Sequence, residues 1–316
     1  GVKMQVNQEI FLYVAEELSI SKAAKRAFVS QQCVSDHINR LEKNYGVKLF
    51  TRKPFALTEA GISLMNSLQK IKVIESSTNE TIRQHATGER GRFTVGIGAS
   101  RAQIILPEIM PLYNSLFPKV EVLFLNNDTM ILEDNLRKGY VDLFLGVNPP
   151  YKKDLSYIHV CDDNLCICIS EGLLNQSFPE IKKELLKGVS NLKVFEHVPF
   201  IKSYSTSVVN RLLQDCMDAH HVELLFPYQI SDTATQIALC AKGLGAIVSS
   251  DMLLSHISSH NRICRKNELI HVIPIYSFAK PLRLEIVSML DAEKPLYILE
   301  FEKLLINTLL QKIKKH

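Results

Sequence analysis

The stretch Ser21-Lys22-Ala23-Ala24-Lys25-Arg26-Ala27-Phe28-Val29-Ser30-Gln31-Gln32-Cys33-Val34-Ser35-Asp36-His37-Ile38-Asn39-Arg40-Leu41-Glu42-Lys43-Asn44-Tyr45-Gly46 decides how the chain is read. Ser21 is an N-cap type, and Ala23, Ala24, Ala27 and Phe28 behind it are expected on the inner face of a short helix. After a three-residue turn, Ser30 caps a longer helix in which Val34, Ile38, Leu41 and Tyr45 recur at i, i+4, i+7 and i+11. Gly46 suits the left-handed residue that closes it. Just upstream, Asn7 is the expected cap of a first helix with Ile10, Phe11, Val14, Ala15 and Leu18 on one stripe. Two helices meeting across so tight a turn form a helix-turn-helix. The outer face of the second carries Gln31, Gln32, Ser35, Asp36, Asn39, Arg40 and Lys43, groups that suit base edges and phosphates in a major groove.

Charge supports that reading. The chain has 316 residues and a net charge of +4. Its first 92 residues hold 14 Lys and Arg against 9 Asp and Glu, a net of +5, so the remainder carries about −1. An excess at one end, rather than a basic average, is the footprint of a nucleic-acid partner. The length implies two or three domains, and 46% hydrophobic with 22% charged residues is a globular mix. No apolar run is long enough to span a membrane and none reads as a signal peptide, so a cytoplasmic protein with no membrane partner is expected. Met4 stands where a natural start is expected.

Further matches, in fixed order, make the N-terminal unit specific. Residues 12 to 61 resemble the winged helix-turn-helix of the LysR-type transcriptional regulators. The landmarks are Ser21-x-Ala23-Ala24, Val29-Ser30-Gln31, Val34-Ser35-x-x-Ile38-x-x-Leu41-Glu42, Gly46-Val47-x-Leu49-Phe50-x-Arg52 and Leu57-Thr58-x-Ala60-Gly61. Gln32 and Cys33 depart from the proline and small residue common there, and the wing between Arg52 and Leu57 is short. The resemblance places Gln31, Ser35 and Arg52 at the DNA; with the exposed face it gives a candidate set of Gln31, Gln32, Ser35, Asn39, Arg40 and Arg52. It implies double-stranded DNA as partner, a homodimer or homotetramer, and RNA polymerase as a further partner.

Working outward, Thr58 caps a long polar helix whose Leu64, Leu68, Ile71, Glu75, Thr78, Ile82 and His85 alternate at spacings of 4 and 3. That is a coiled-coil-like seam, and a helix so exposed is rescued by pairing with a second copy. Gly88-Glu89-Arg90-Gly91 reads as a hinge. From Arg92, short β-rich runs alternate with helices: Phe93 to Ile97, Val120 to Leu125 and Val141 to Leu145 are strands of a β-α-β-α-β unit. Pro199 to Lys202 and Ala246 to Ser249 belong to a second lobe, and Leu284 to Ser288 with a closing helix return to the first. This resembles the two-lobed, periplasmic-binding-protein-like domain of the same regulators. The expected organisation is therefore multidomain. A winged helix-turn-helix at residues 4–58 is followed by a dimerisation helix and hinge at 59–91. An α/β effector-binding domain occupies 92–316, with lobe I at 92–161 and 267–316 and lobe II at 162–266.

Ligands of such sheets sit at the carboxyl ends of strands, where helix N-termini aim free N–H groups into a crevice. Ser100-Arg101, Asp128-Thr129 and Ser231-Asp232-Thr233 are the candidate helix starts, and Lys202-Ser203 follows a strand of the facing lobe. Ser100, Arg101, Thr129, Lys202, Ser203 and Thr233 are thus the candidate effector residues, suited to a small anion such as a carboxylate. No cofactor and no metal are called for: the seven cysteines lack paired zinc-ligand spacing. P-loop, G-x-S-x-G, H-E-x-x-H and dinucleotide signatures are missing, and Gly96-x-Gly98 lacks the third glycine, so an enzyme is not expected. Two alternatives keep the fold. One is a thiol-based redox sensor using Cys216 and Cys240, although Cys240 lies on an apolar helix face and Cys166 and Cys168 alternate like core. The other is a regulator that needs no ligand.

Overall fold

In the computed structural model, which describes residues 4–87, 91–188, 191–203, 207–276, 278 and 280–313, the chain opens with helices α1 (Val6–Glu17), α2 (Ile20–Ala27) and α3 (Gln31–Tyr45). Met4, Phe11, Val14, Ala23, Ala24, Val34, Ile38 and Leu41 close a small core among them. Two caps differ from the sequence reading. Gln5 precedes α1 as its cap, with Gln8 Oε1 accepting the Gln5 backbone N–H at 3.2 Å, whereas Asn7 lies within the helix and its side chain is bound to His37 of α3. Ser19, not Ser21, caps α2, since Leu18 already turns left-handed (φ 44°) and ends α1 there. Ser30 does cap α3, accepting the Cys33 N–H at 3.1 Å, and Gly46 (φ 69°) ends it. Phe28 is not inward: it is the left-handed C-cap of α2 and 95% exposed. Tyr45, in the last turn of α3, is exposed as well.

The wing is a short hairpin, β1 (Phe50–Arg52) paired with β2 (Phe55–Leu57) around a cis Lys53-Pro54 bond. Thr58 Oγ1 then accepts the Gly61 N–H at 3.0 Å and starts α4 (Glu59–Thr87). The expected seam on α4 divides. Leu68 is buried in the core of the N-terminal domain and Leu64 packs against it. Glu75 accepts the Met4 N–H at 3.1 Å. Further along α4, Ile71, Ile74 and Ile82 are exposed. The exposed apolar positions therefore begin later than the spacing suggests, because the first two leucines serve the helix's own domain. The side chain of His85 and hinge residues 88–90 lie outside the described residues.

Lobe I is a five-stranded sheet in the order β4 (Val120–Leu125), β3 (Gly91–Gly96), β5 (Leu143–Val147), β12 (Leu282–Met289), β6 (Leu155–Asp163). β3 runs parallel to β4 and β5, and β12 is antiparallel to both its neighbours. Helices α5 (Ala99–Leu116) and α6 (Thr129–Arg137) make the crossovers, and α12 (Leu296–Ile313) packs on the face of α5.

In lobe II, β7 (Leu165–Ser170) lies between β10 (Ile247–Ser250) and β11 (Ile270–Pro274). A bridge from Phe200 to Ala246 joins the pair β8 (Pro199–Lys202) and β9 (Leu225–Gln229) to that sheet. Short helices α7 (Glu171–Ser177) and α8 (Lys182–Leu185), then α9 (Val208–His220), α10 (Thr233–Ala241) and α11 (Leu254–Asn261), surround it. Because β11 pairs with β7, lobe II keeps the chain to Pro274, later than the return expected near residue 267.

Candidate DNA interface and effector cleft

Burial of Val34, Ile38 and Leu41 fixes the rotation of α3. Gln31, Gln32, Asn39 and Arg40 are thereby exposed and Ser35 half-buried, with Arg52 exposed at the wing. Two are partly engaged: Ser35 Oγ donates to the Gln31 carbonyl (3.0 Å), and Gln32 Nε2 donates to Asp36 Oδ1 (3.1 Å). Each keeps oxygen lone pairs or a second N–H for a partner.

Between the lobes lies a cleft of about 640 Å³. Ser100, Arg101, Lys202, Ser203 and Thr233 line it. Ser100, in the first turn of α5, and Thr233, at the start of α10, reach across the opening, with their hydroxyl oxygens 2.6 Å apart. The two helices thus face each other N-terminus to N-terminus, one from each lobe.

Their free N–H groups are not equivalent. Asp232 caps α10, its Oδ2 accepting the Thr235 N–H (2.7 Å) and hydroxyl (2.6 Å). Those bonds hold its carboxyl below the usual carboxylate range. The cap of α5 is Gly98, which brings no side chain, so no side-chain cap covers the Ala99 and Ser100 N–H groups, while the Arg101 N–H donates to the Gly98 carbonyl at 3.0 Å. The open pole is on lobe I.

Two candidates take other positions. Thr129 is absent from the cleft wall: its hydroxyl accepts the Val147 N–H at 2.9 Å, pinning α6 to β5. Arg101 lines the cleft, but its guanidinium donates to fully buried Asp163 at 3.1 Å, and Asp163 also accepts the Met252 N–H at 2.9 Å. The charge of Arg101 is therefore neutralised where the chain crosses between lobes. Lys202 lies with Nζ 5.2 Å from the Phe226 ring centroid. The sequence reading missed Asn126, Asn127, Phe200, Asn210, Phe226 and Gln236, which also line the cleft. Asn126 and Asn127 carried the available signal, standing at the end of β4 just as Gly98 follows β3.

The thiols are placed by the same sheet. Cys166 and Cys168 share one face of β7 with Cys240, while Ile167 and Ile169 share the other with Cys216. Cys216 and Cys240 thus lie in clusters on opposite faces of the lobe II sheet. Burial pushes the Cys240 thiol up to about 12. Burial, with Asp163 nearby, does the same to Cys161, also to about 12. Among the described residues there is no group of His, Cys, Asp and Glu arranged to hold a metal, and no helix long and apolar enough to cross a membrane.

A DNA-reading winged helix-turn-helix joined by a long helix to a two-lobed ligand cleft defines a transcription regulator with an effector-binding domain. Residues 7–62 match the family of bacterial regulatory helix-turn-helix proteins of the lysR type, and residues 86–268 match the LysR substrate binding domain. The chain belongs to the LysR family of transcriptional regulators. A "Probable RuBisCO transcriptional regulator" of Thalassiosira pseudonana is 26% identical over 219 residues, 68% of this chain and 69% of its own length. Full-length CbnR solved with its target DNA has the same fold, with a TM-score of 0.56 at 16% identity over 96% of this chain and all of that one. The CcmR regulatory domain of Synechocystis PCC6803, solved in complex with 2-PG, matches 69% of this chain and 97% of its own, with a TM-score of 0.56 at 16% identity.

Proposed function

We propose that this regulator reads duplex DNA through Gln31, Gln32, Ser35, Asn39, Arg40 and Arg52, and that its cleft senses a small anion. The observation that carries the second half is the 2.6 Å approach of Ser100 to Thr233, which joins two helix N-termini across the cleft. An anion at the start of α5 gains its N–H groups and the positive end of the helix dipole, and the hydrogen-bonded Ser100–Thr233 pair keeps one O–H to donate to it. Lys202 and Ser203 supply the lobe II wall. Because Arg101 is neutralised by Asp163, attraction comes from N–H groups rather than from a free guanidinium. Such a ligand bridges both lobes and favours one lobe arrangement only as far as it binds that arrangement more tightly. A homologous fold solved with 2-PG supports the reading.

The subunits associate through the exposed stripe of α4 as a homodimer or higher oligomer, the DNA-bound assembly meets RNA polymerase, and the protein works in the cytoplasm. The thiol-sensor reading is less well supported. Cys216 and Cys240 sit in separate buried clusters, and reactive thiols need exposed, electropositive surroundings. Thermal-shift titration of the full chain with short carboxylates, phosphate esters and their neutral amides or alcohols tests the proposal. The expected result is stabilisation by an anion alone, weakened about tenfold or more in affinity by Ser100→Ala. Equal stabilisation by the neutral counterparts would discard the anionic reading.

A further inference from the structure

Helix α6 meets two places at once. At its N-terminal end Asn127, Asp128 and Ile131 line the cleft. The turn that follows α6 carries Tyr140, nine residues beyond Ile131, and Tyr140 touches the DNA-binding domain of the same chain. Its hydroxyl accepts from Arg26 Nη2 of α2 at 3.0 Å and donates to Glu16 Oε2 of α1 at 3.3 Å. Arg26 is itself held by Glu16 (2.7 Å) and Glu17 (3.3 Å), with its guanidinium 4.7 Å from the Tyr13 ring centroid. From α4, Lys72 Nζ lies 5.5 Å from the centre of the Tyr140 ring.

Two more fasteners reach the same helix. Arg137 in its last turn binds Asp154, and Lys70 of α4 approaches that carboxylate at 3.7 Å. Val73 of α4 packs against the cluster that holds Leu132 and Leu136 of α6.

We propose that the Tyr140 turn is the surface on which the sensor docks its own reading head, and that α6 transmits the state of the cleft to it. The chemistry suits such a role. The contact is made by charge-assisted hydrogen bonds around one phenol, which are directional and break within small displacements. Thr129 ties the start of α6 to β5, so the helix moves with the lobe I sheet rather than unravelling. A rigid-body shift of packed elements is an established way for a small change at one end to move a contact at the other. The docking half stands by itself, whereas the transmission half rests on the cleft reading above.

Hydrogen exchange on the full chain, without DNA or ligand, tests both halves. Tyr140→Phe keeps the ring under Lys72 and removes both hydrogen bonds. It should speed exchange of the amides in α2 and in the last turn of α6 about three- to tenfold, leaving β3 unchanged as the folding control. Thr233→Val, on the far lobe, breaks the hydroxyl contact across the cleft. It should speed the same α2 amides in the wild-type background but add little on top of Tyr140→Phe, since coupled sites are non-additive.

Unchanged α2 amides in Tyr140→Phe would show that the docked contact does not exist in solution and would overturn the whole proposal. A response to Tyr140→Phe but none to Thr233→Val would overturn the transmission while leaving the anion-binding reading intact. That reading fails separately, in the thermal-shift titration.

Discussion

Asp163 determines what Arg101 can do. A fully buried carboxylate is costly to leave without an opposite charge, and besides the Met252 N–H that it accepts, Asp163 faces the Arg101 guanidinium. Arg101→Ala should therefore act first on stability, costing about 3–5 kcal/mol by leaving a buried charge unpaired. Chemical unfolding followed by circular dichroism measures this. A variant as stable as wild type would mean that the guanidinium is free to serve a ligand. The sequence shows why this pairing stayed hidden. That Ser100, Arg101 and Thr129 stand where helices begin is legible from strand ends and cap residues. Asp163 is 62 residues from Arg101, and Thr233 is 133 from Ser100, so no local pattern joins either pair. Thr129 shows the complementary limit. A threonine opening a helix after a strand is readable, but whether its hydroxyl faces the cleft or the neighbouring strand depends on the backbone of β5.

At the scale of elements, α4 shows how one periodicity can serve two surfaces. Spacings of 4 and 3 run unbroken from Leu64 to His85, and they cannot tell the first two leucines, spent on the core of α1 to α3, from the isoleucines that stay exposed. Asp placed at Ile71 and Ile82 together should therefore dissociate the oligomer, because charge in an apolar seam is costly to desolvate. Leu68→Ala should instead destabilise the N-terminal domain by about 2–5 kcal/mol through the cavity it leaves. Sedimentation velocity on both variants separates the effects. If the Ile71 and Ile82 substitutions leave the assembly size unchanged, the subunits are held together elsewhere. The short helices were read less well at their ends than in their middles. Ile10, Phe11, Val34 and Ile38 announce the inner faces, whereas Ser19 and Ser21 are equal cap candidates until the left-handed Leu18 decides between them. Gly46 and Ser30 were readable because each stands alone in its role at that end of α3.

Across the whole molecule the charge is divided much as the work is, with a net of +5 on the first 92 residues and about −1 on the rest. The division makes a prediction that no single contact makes. Phosphate neutralisation releases counterions, so affinity for any duplex should fall steeply between about 50 and 200 mM salt. The fall belongs to the N-terminal end. Arg52, exposed on the wing, is proposed to grip a phosphate; Arg52→Ala should then weaken binding to all sequences alike and flatten the salt slope by about 1. Gln31 stands at the N-terminal end of α3, where the amide can pair with a base edge and carries no charge to release. Gln31→Ala should leave the slope alone and cost about 1–3 kcal/mol on the preferred sequence only. Fluorescence anisotropy with a selected and a scrambled duplex, each titrated at several salt concentrations, distinguishes the two. Equal losses on both duplexes for both variants, with parallel salt slopes, would mean that α3 and the wing do not divide reading from gripping.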